Sequence, residues 1–507
     1  MNARIKRILL LLLAVVCLLG AGQVQRSLNR DREALGLTRT AAVLDNAPPV
    51  LVFTTVALGG FRGLISNFLW MRASDLQQDD KFFEAAQLAD WITKLEPTFA
   101  SVWVFQGWNM AYNISVKFKD FPDRWRWVQR GIELMRDDGL RYNPTSVDLY
   151  RELAWQFQHK MGANLDDANM YYKSQWALQM KPFFGPDGTN LDLLLHPPDA
   201  AARTNAVCFR EQFKMDPDFV KQVDTEYGPF DWRLPEAHAI YWGARGLAVA
   251  KENPDKVKSD DLIKLRRIIY QSMLQAFHHG RIILDPLTKT YSLGPNLDLI
   301  PQVNAAYEQM MSEDAGMRDS IATAHRNFLR DAVYFLYEDN RVAEAAKWFK
   351  YLGDQYPDKP IIDGRPDSLP KNLTLDEYAV AVVQTDIGET SQERVTSAVQ
   401  GLLTRAYYNL AIGQADRYEN FKRLAIRVYQ NYTAKTSKFS PERIALPPFD
   451  TLNQAVLRQL LDPKAGMPYA ARAVLRTQLG LPGETNAPPA AGSTNAPVTV
   501  STNAPAM

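Results

Sequence analysis

The sequence predicts an all-α fold built as an irregular array of helical hairpins, and three observations lead there. From about Asp79 to Leu481 apolar residues recur with a period near 3.6: Leu88, Trp91 and Leu95 form one stripe, and Tyr150, Ala154, Phe157 and Met161 another. Few segments alternate with the two-residue period of a strand. Prolines at 97, 144, 182, 286, 357 and 463 mostly close apolar helical segments, because the residue before proline is pushed out of the helical region.

The chain begins with Arg4, Lys6 and Arg7 ahead of Ile8 to Gly22, a run without charge that has the layout of a signal or signal anchor. Such a run rises about 22 Å against a hydrocarbon core of roughly 30 Å, so a full span draws on Gln23 to Gln25 or a thinned bilayer. Residues 1–25 are therefore read as a membrane helix, with cleavage left open. Val16 stands before Cys17 where a lipoprotein signal carries a small residue, which argues against lipidation. The expected location is the cytoplasmic membrane, crossed once, with the bulk of the chain periplasmic. Residues 26–74 are read as connecting and capping helices. The apolar stretch Pro48 to Met71 carries a Gly59-x-x-x-Gly63 spacing that suits close helix approach in lipid, but Arg62 at mid-span favours a helix capping the helical domain.

Repeats follow. In "FFEAAQLADWITKLEP" (Phe82 to Pro97) Ala85 takes the small position where two helices cross and Pro97 closes the unit; Trp103 and then Gly107 continue the frame. The frame resumes after Pro144 with Tyr150, Leu153, Ala154 and Phe157, and Asp166 to Pro182 supplies a partner helix with Ala177. The most complete unit is Arg326 to Pro357, with Leu329, Ala332, Leu336, Ala345 and Phe349 in place. These units resemble tetratricopeptide repeats. The resemblance implies a right-handed α-solenoid, with repeats over 75–182 and again within 235–482. The prolines lie 47 and then 38 residues apart from Pro97 through Pro144 to Pro182, against a family period of about 34, so the array is irregular. Residues 183–234 are rich in proline and glycine and read as a long loop or insertion. Residues 483–507 repeat Thr-Asn-Ala-Pro without apolar periodicity and read as a disordered tail.

Function is then narrowed by what is missing. The 58 basic and 57 acidic side chains cancel, which leaves no broad field for nucleic acid. Two cysteines, one of them in the apolar leader, offer no disulfide framework. The six histidines include no helical zinc pair, and neither a phosphate loop nor a nucleophile elbow occurs, so neither a cofactor nor a metal is expected and the chain is read as non-catalytic. What remains is recognition. Resemblance to the repeat family implies a groove lined by the first helix of each hairpin, at positions offset from the packing residues. Those positions are Trp108 and Tyr112, then Asp148, Arg151, Trp155 and His159, then Arg330, Tyr334 and Tyr337. Matching places in the three helices carry an aromatic residue: Trp108, Trp155 and Tyr334. The expected function is a membrane-anchored scaffold that binds a protein partner, with a carbohydrate- or solute-binding protein second and an α/α-toroid polysaccharide enzyme third.

Overall fold

The computed structural model describes residues 62–284, 291–313, 315–387, 392–436 and 446–483, with helical pieces at 20–24, 26–28 and 30–31. The readings of most of Ile8 to Gly22, of Pro48 to Phe61, of Pro286 and of the tail from 484 onward fall outside these residues. Among the described residues the chain is helical apart from one antiparallel strand pair, so the all-α class holds.

The described residues form two compact units, those within 1–185, 190–221 and 232–272 in the first and those within 186–189, 222–231 and 273–507 in the second. The first contains α1 (Arg62–Gln78), α2 (Phe82–Leu95), α3 (Ala100–Trp108), α4 (Phe121–Glu133), α5 (Val147–Trp155), α6 (Asn169–Phe184), α7 (Asp192–Leu195), α8 (Ala200–Phe213), the start of α9 (Pro217–Tyr227), α10 (Pro235–Glu252) and most of α11 (Ser259–His279). Three of these helices continue as π-helical segments, α3 through Asn109–Ile114, α4 through Leu134–Gly139 and α5 through Gln156–Gly162. The second unit contains β1 (Arg281–Leu284) and β2 (Tyr291–Gly294), paired with Arg281 opposite Gly294, then α12 (Ile300–Glu313), α13 (Arg318–Glu338), α14 (Val342–Gln355), α15 (Leu375–Ile387), α16 (Gln392–Ala411), α17 (Ala415–Thr436), α18 (Phe449–Leu460) and α19 (Tyr469–Gln478).

Two local rules make the hairpins. The first is proline closure. Glu96, Asn143, Asn253 and Tyr356 each precede a proline and each ends a helix with φ near −130° and ψ between 55° and 70°. An aromatic six residues after the proline then ties the next helix to the turn: Trp103 Nε1 donates to the Pro97 carbonyl at 2.9 Å, and Tyr150 Oη to the Pro144 carbonyl at 3.2 Å. The register read from Trp103 and Tyr150 therefore has a physical basis.

The second rule is a left-handed residue in the turn, seen in three hairpins. Asp80, Asn340 and Gly413 have φ of 61°, 62° and 81°, and the next amide bonds back across the turn: Lys81 to Leu76, Arg341 to Leu336 and Gln414 to Asn409, at 2.8–2.9 Å. This is the helix-ending motif that favours glycine and tolerates Asp and Asn. Asp80→Gly is expected to leave the first unit as stable or slightly more so. Gly413→Ala is expected to cost the second unit about 1 kcal/mol, because a Cβ is strained at that φ, and urea denaturation measures both.

Three sequence expectations change. Pro182 does not break a helix; it lies in the last turn of α6. Residues 183–234 are not one long loop, because α7, α8 and part of α9 fold there. Asp199 caps α8 by accepting from the Ala202 amide at 2.7 Å, and Phe209 and Phe213 on its inner face pack against Phe183, with Phe209 also against Phe184. Finally, 281–294 yields a short strand pair.

Candidate functional site

The site lies in the first unit, on α3 and α5, the first helices of two successive hairpins. Gly107 and Ala154 are buried, and the residue after each is a half-buried tryptophan, Trp108 and Trp155. Trp108 stacks on Tyr112 with ring centres 5.7 Å apart, and Trp155 stacks on His159 at 4.4 Å. Tyr112 and His159 join the two helices, since the phenol oxygen and Nδ1 share a 3.2 Å hydrogen bond and the rings lie 5.8 Å apart. The result is a row of four half-buried rings, Trp108, Tyr112, His159 and Trp155. Both helices turn π-helical just past their tryptophans, so Tyr112 and His159 sit on π segments, a feature frequent at functional sites.

A charged cluster supports the row from below. Lys160 is buried, with Nζ 2.6 Å from Asp166 and 5.3 Å from the Tyr112 ring centre. Arg124 reaches the same carboxylate at 3.1 Å. Burial works against ionising Asp166, but Lys160 and the Ala168 amide outweigh it and hold the carboxyl down at about 2. His159 is shifted down by burial and then by Lys160, which favours the neutral ring. Burial, reinforced by Glu152, pushes the Tyr112 phenol up, so it stays protonated.

Glu152 is the residue that sequence reading missed. Burial raises its carboxyl to about 7, with Arg151 opposing and Asp148 adding to the rise, and Oε1 is buried without a hydrogen-bond partner. Gln156, one turn on, is buried with neither side-chain polar atom partnered. The signal was present as a polar stripe at 152, 156 and 159 beside the apolar stripe of Leu153, Phe157 and Met161.

The other expected groove residues separate. Asp148 is exposed and pairs with Arg151 at 3.0 Å, while Arg151 also faces Asp261 at 3.7 Å, so its charge is met internally. In the second unit Tyr337 is a correction: it is completely buried, its hydroxyl donates to Asp376 at 2.6 Å, and its carbonyl accepts from Asn420 at 2.7 Å. Tyr337 holds α13 to α15 and α17 and presents nothing to a partner. Arg330 pairs with Asp363 at 2.9 Å, and half-buried Tyr334 lies beside Phe335 with its hydroxyl 3.4 Å from Glu338. These three make no counterpart to the ring row.

Among the described residues no three His, Cys, Asp or Glu side chains converge for a metal ion, and no helix is long and apolar enough to cross a membrane. In comparisons with known proteins, no family model and no curated protein matches the chain.

Proposed function

We propose that the chain is a tetratricopeptide-like scaffold, held by its N-terminal apolar run at the outer face of the cytoplasmic membrane, that binds a protein partner through the ring row of α3 and α5. The observation that carries this reading is the continuity of Trp108, Tyr112, His159 and Trp155 across two hairpins, half-buried and locked by stacking. Rigid aromatic side chains of that kind are the preferred anchors of interfaces, because little entropy is lost when they are covered. The internal pairing of Arg151, Lys160 and Asp166 leaves the row itself as the recognising feature.

Pull-down of the full chain from detergent-solubilised envelopes tests the reading. Trp155→Ala is expected to weaken the partner's retention tenfold or more, Trp108→Ala to act in the same direction, and Tyr334→Ala to change nothing. Partners retained equally by all variants would sink the assignment, and retention only on glycan matrices would move the site to the carbohydrate reading.

A further inference from the structure

Among the described residues one face of α1 is left uncovered, and its composition changes along the helix rather than around it. Ser66, Ala73 and Leu76 are buried, and Leu69 and Trp70 pack on the cluster of Ala89, Ile92 and Val102. The opposite face begins with Leu64, Ile65, Phe68 and Met71, of which Leu64, Phe68 and Met71 are 69%, 64% and 61% exposed. It then turns polar, with Arg72, Asp75 and Gln78 exposed. No charged residue occurs from 63 to 71. An apolar end followed by a polar end along one face suits a helix whose N-terminal half meets a lipid surface while its C-terminal half stays in water. The apolar end here rises about 10 Å from Leu64 to Met71, close to the depth of the headgroup and acyl boundary.

The surroundings favour lipid over a second copy. Gly63 lies beside Glu96, so α1 and α2 run antiparallel and Trp91, 47% exposed, stands at the level of Phe68. Tryptophan at that depth is typical of membrane interfaces. Asp90 and Lys94 on the same end of α2 pair with each other at 2.6 Å, which suits a headgroup zone beside the apolar end of α1. Four side chains also fall short of the roughly 800 Å² per partner that a stable dimer buries.

We propose that the N-terminal half of α1 is an interfacial membrane contact, with Leu64, Ile65, Phe68 and Met71 against lipid. This rests on the membrane placement proposed above and adds a second, fixed point of contact that sets how the first unit is held at the surface. The test uses the full chain with Cys17→Ser and Cys208→Ser, reconstituted into vesicles of phosphatidylethanolamine and phosphatidylglycerol. A spin label is placed at Phe68→Cys, at Leu64→Cys or at Asp75→Cys. The ratio of oxygen to nickel-chelate accessibility is expected to be several-fold higher at 64 and 68 than at 75. Equal ratios would overturn the contact. Low access to both quenchers at 64 and 68 would also overturn it, since protein would then cover the face. A chain that stays out of the vesicles would sink the membrane placement itself, whereas one that inserts with 68 in water sinks only this inference.

Discussion

Gly131→Ala is expected to destabilise the first unit by about 1–2 kcal/mol, although alanine in place of a helical glycine ordinarily gains up to about 1 kcal/mol. The reason is the crossing of α3 and α4. A Cβ on Gly131 would stand 2.7 Å from the carbonyl oxygen of Gly107, and one on Gly107 would stand 2.7 Å from Cγ and Sδ of Met135. The first clash is with backbone, which moves only if the helices part, and overpacking of that kind costs about 1–3 kcal/mol against the gain in propensity. Gly401, in α16 of the second unit, supplies the control: nothing lies within 4 Å of its Cβ position, so Gly401→Ala is expected to stabilise by a few tenths to 1 kcal/mol. Calorimetry reads both, at about 2–4 °C for each kcal/mol in units of this size. A Gly131→Ala protein that melts at or above the parent temperature would show that the crossing is looser than these distances.

The same crossing shows what the sequence made legible. Pro97, Pro144 and Pro357 located helix ends because proline acts on its immediate neighbour, and Glu96, Asn143 and Tyr356 share one backbone conformation. Trp103 and Tyr150 fall where the resemblance to the repeat family sets a large aromatic, and their side chains bond to the carbonyls of Pro97 and Pro144. The left-handed turns at Asp80 and Asn340 were harder to see, since neither is glycine and only a short polar side chain marks the position. Helix α8 had a readable apolar stripe at Ala206, Phe209 and Phe213, but the prolines and glycines around it dominated the reading. Tyr337 failed for a different reason. Spacing along α13 cannot reveal that α15 and α17, distant in sequence, fold over it. Glu152 likewise owes its burial to tertiary packing.

As pH falls from 7 to 4.5 the second unit is expected to lose about 2–3 kcal/mol of stability while the first stays nearly level. In the second unit a chain of hydrogen bonds fixes His325 in its neutral form. Tyr351 donates to Glu308, Asn304 Nδ2 donates to Glu308 at 3.1 Å, His325 Nε2 donates to Asn304 Oδ1 at 2.8 Å, and Tyr356 donates to His325 Nδ1 at 2.8 Å. Burial, only partly offset by Glu308, brings His325 down to about 4. The unfolded ring titrates near 6.5, so the unfolded chain takes up the proton first, and stability present above 6.5 is lost at about 1.4 kcal/mol per pH unit on the way to 4. His278 shifts the same way through burial. In the first unit His238 is completely buried against Trp176 and Phe157, with Nε2 2.8 Å from the Trp232 carbonyl, and burial brings it to about 4 as well. Glu152 opposes it. Its carboxyl is raised to about 7, so its contribution is present below the ordinary carboxylate range and is lost as pH rises through 7. On acidification His238 therefore removes stability while Glu152 restores a comparable amount. Glu152→Gln deletes the restoring half and should make the first unit as acid-labile as the second. Urea titrations at several pH values, read by pulse proteolysis with peptides assigned to each unit, measure both slopes. A second unit that stays level to pH 4.5 would contradict the role of His325, and a parent first unit that falls as steeply as the Glu152→Gln protein would contradict that of Glu152.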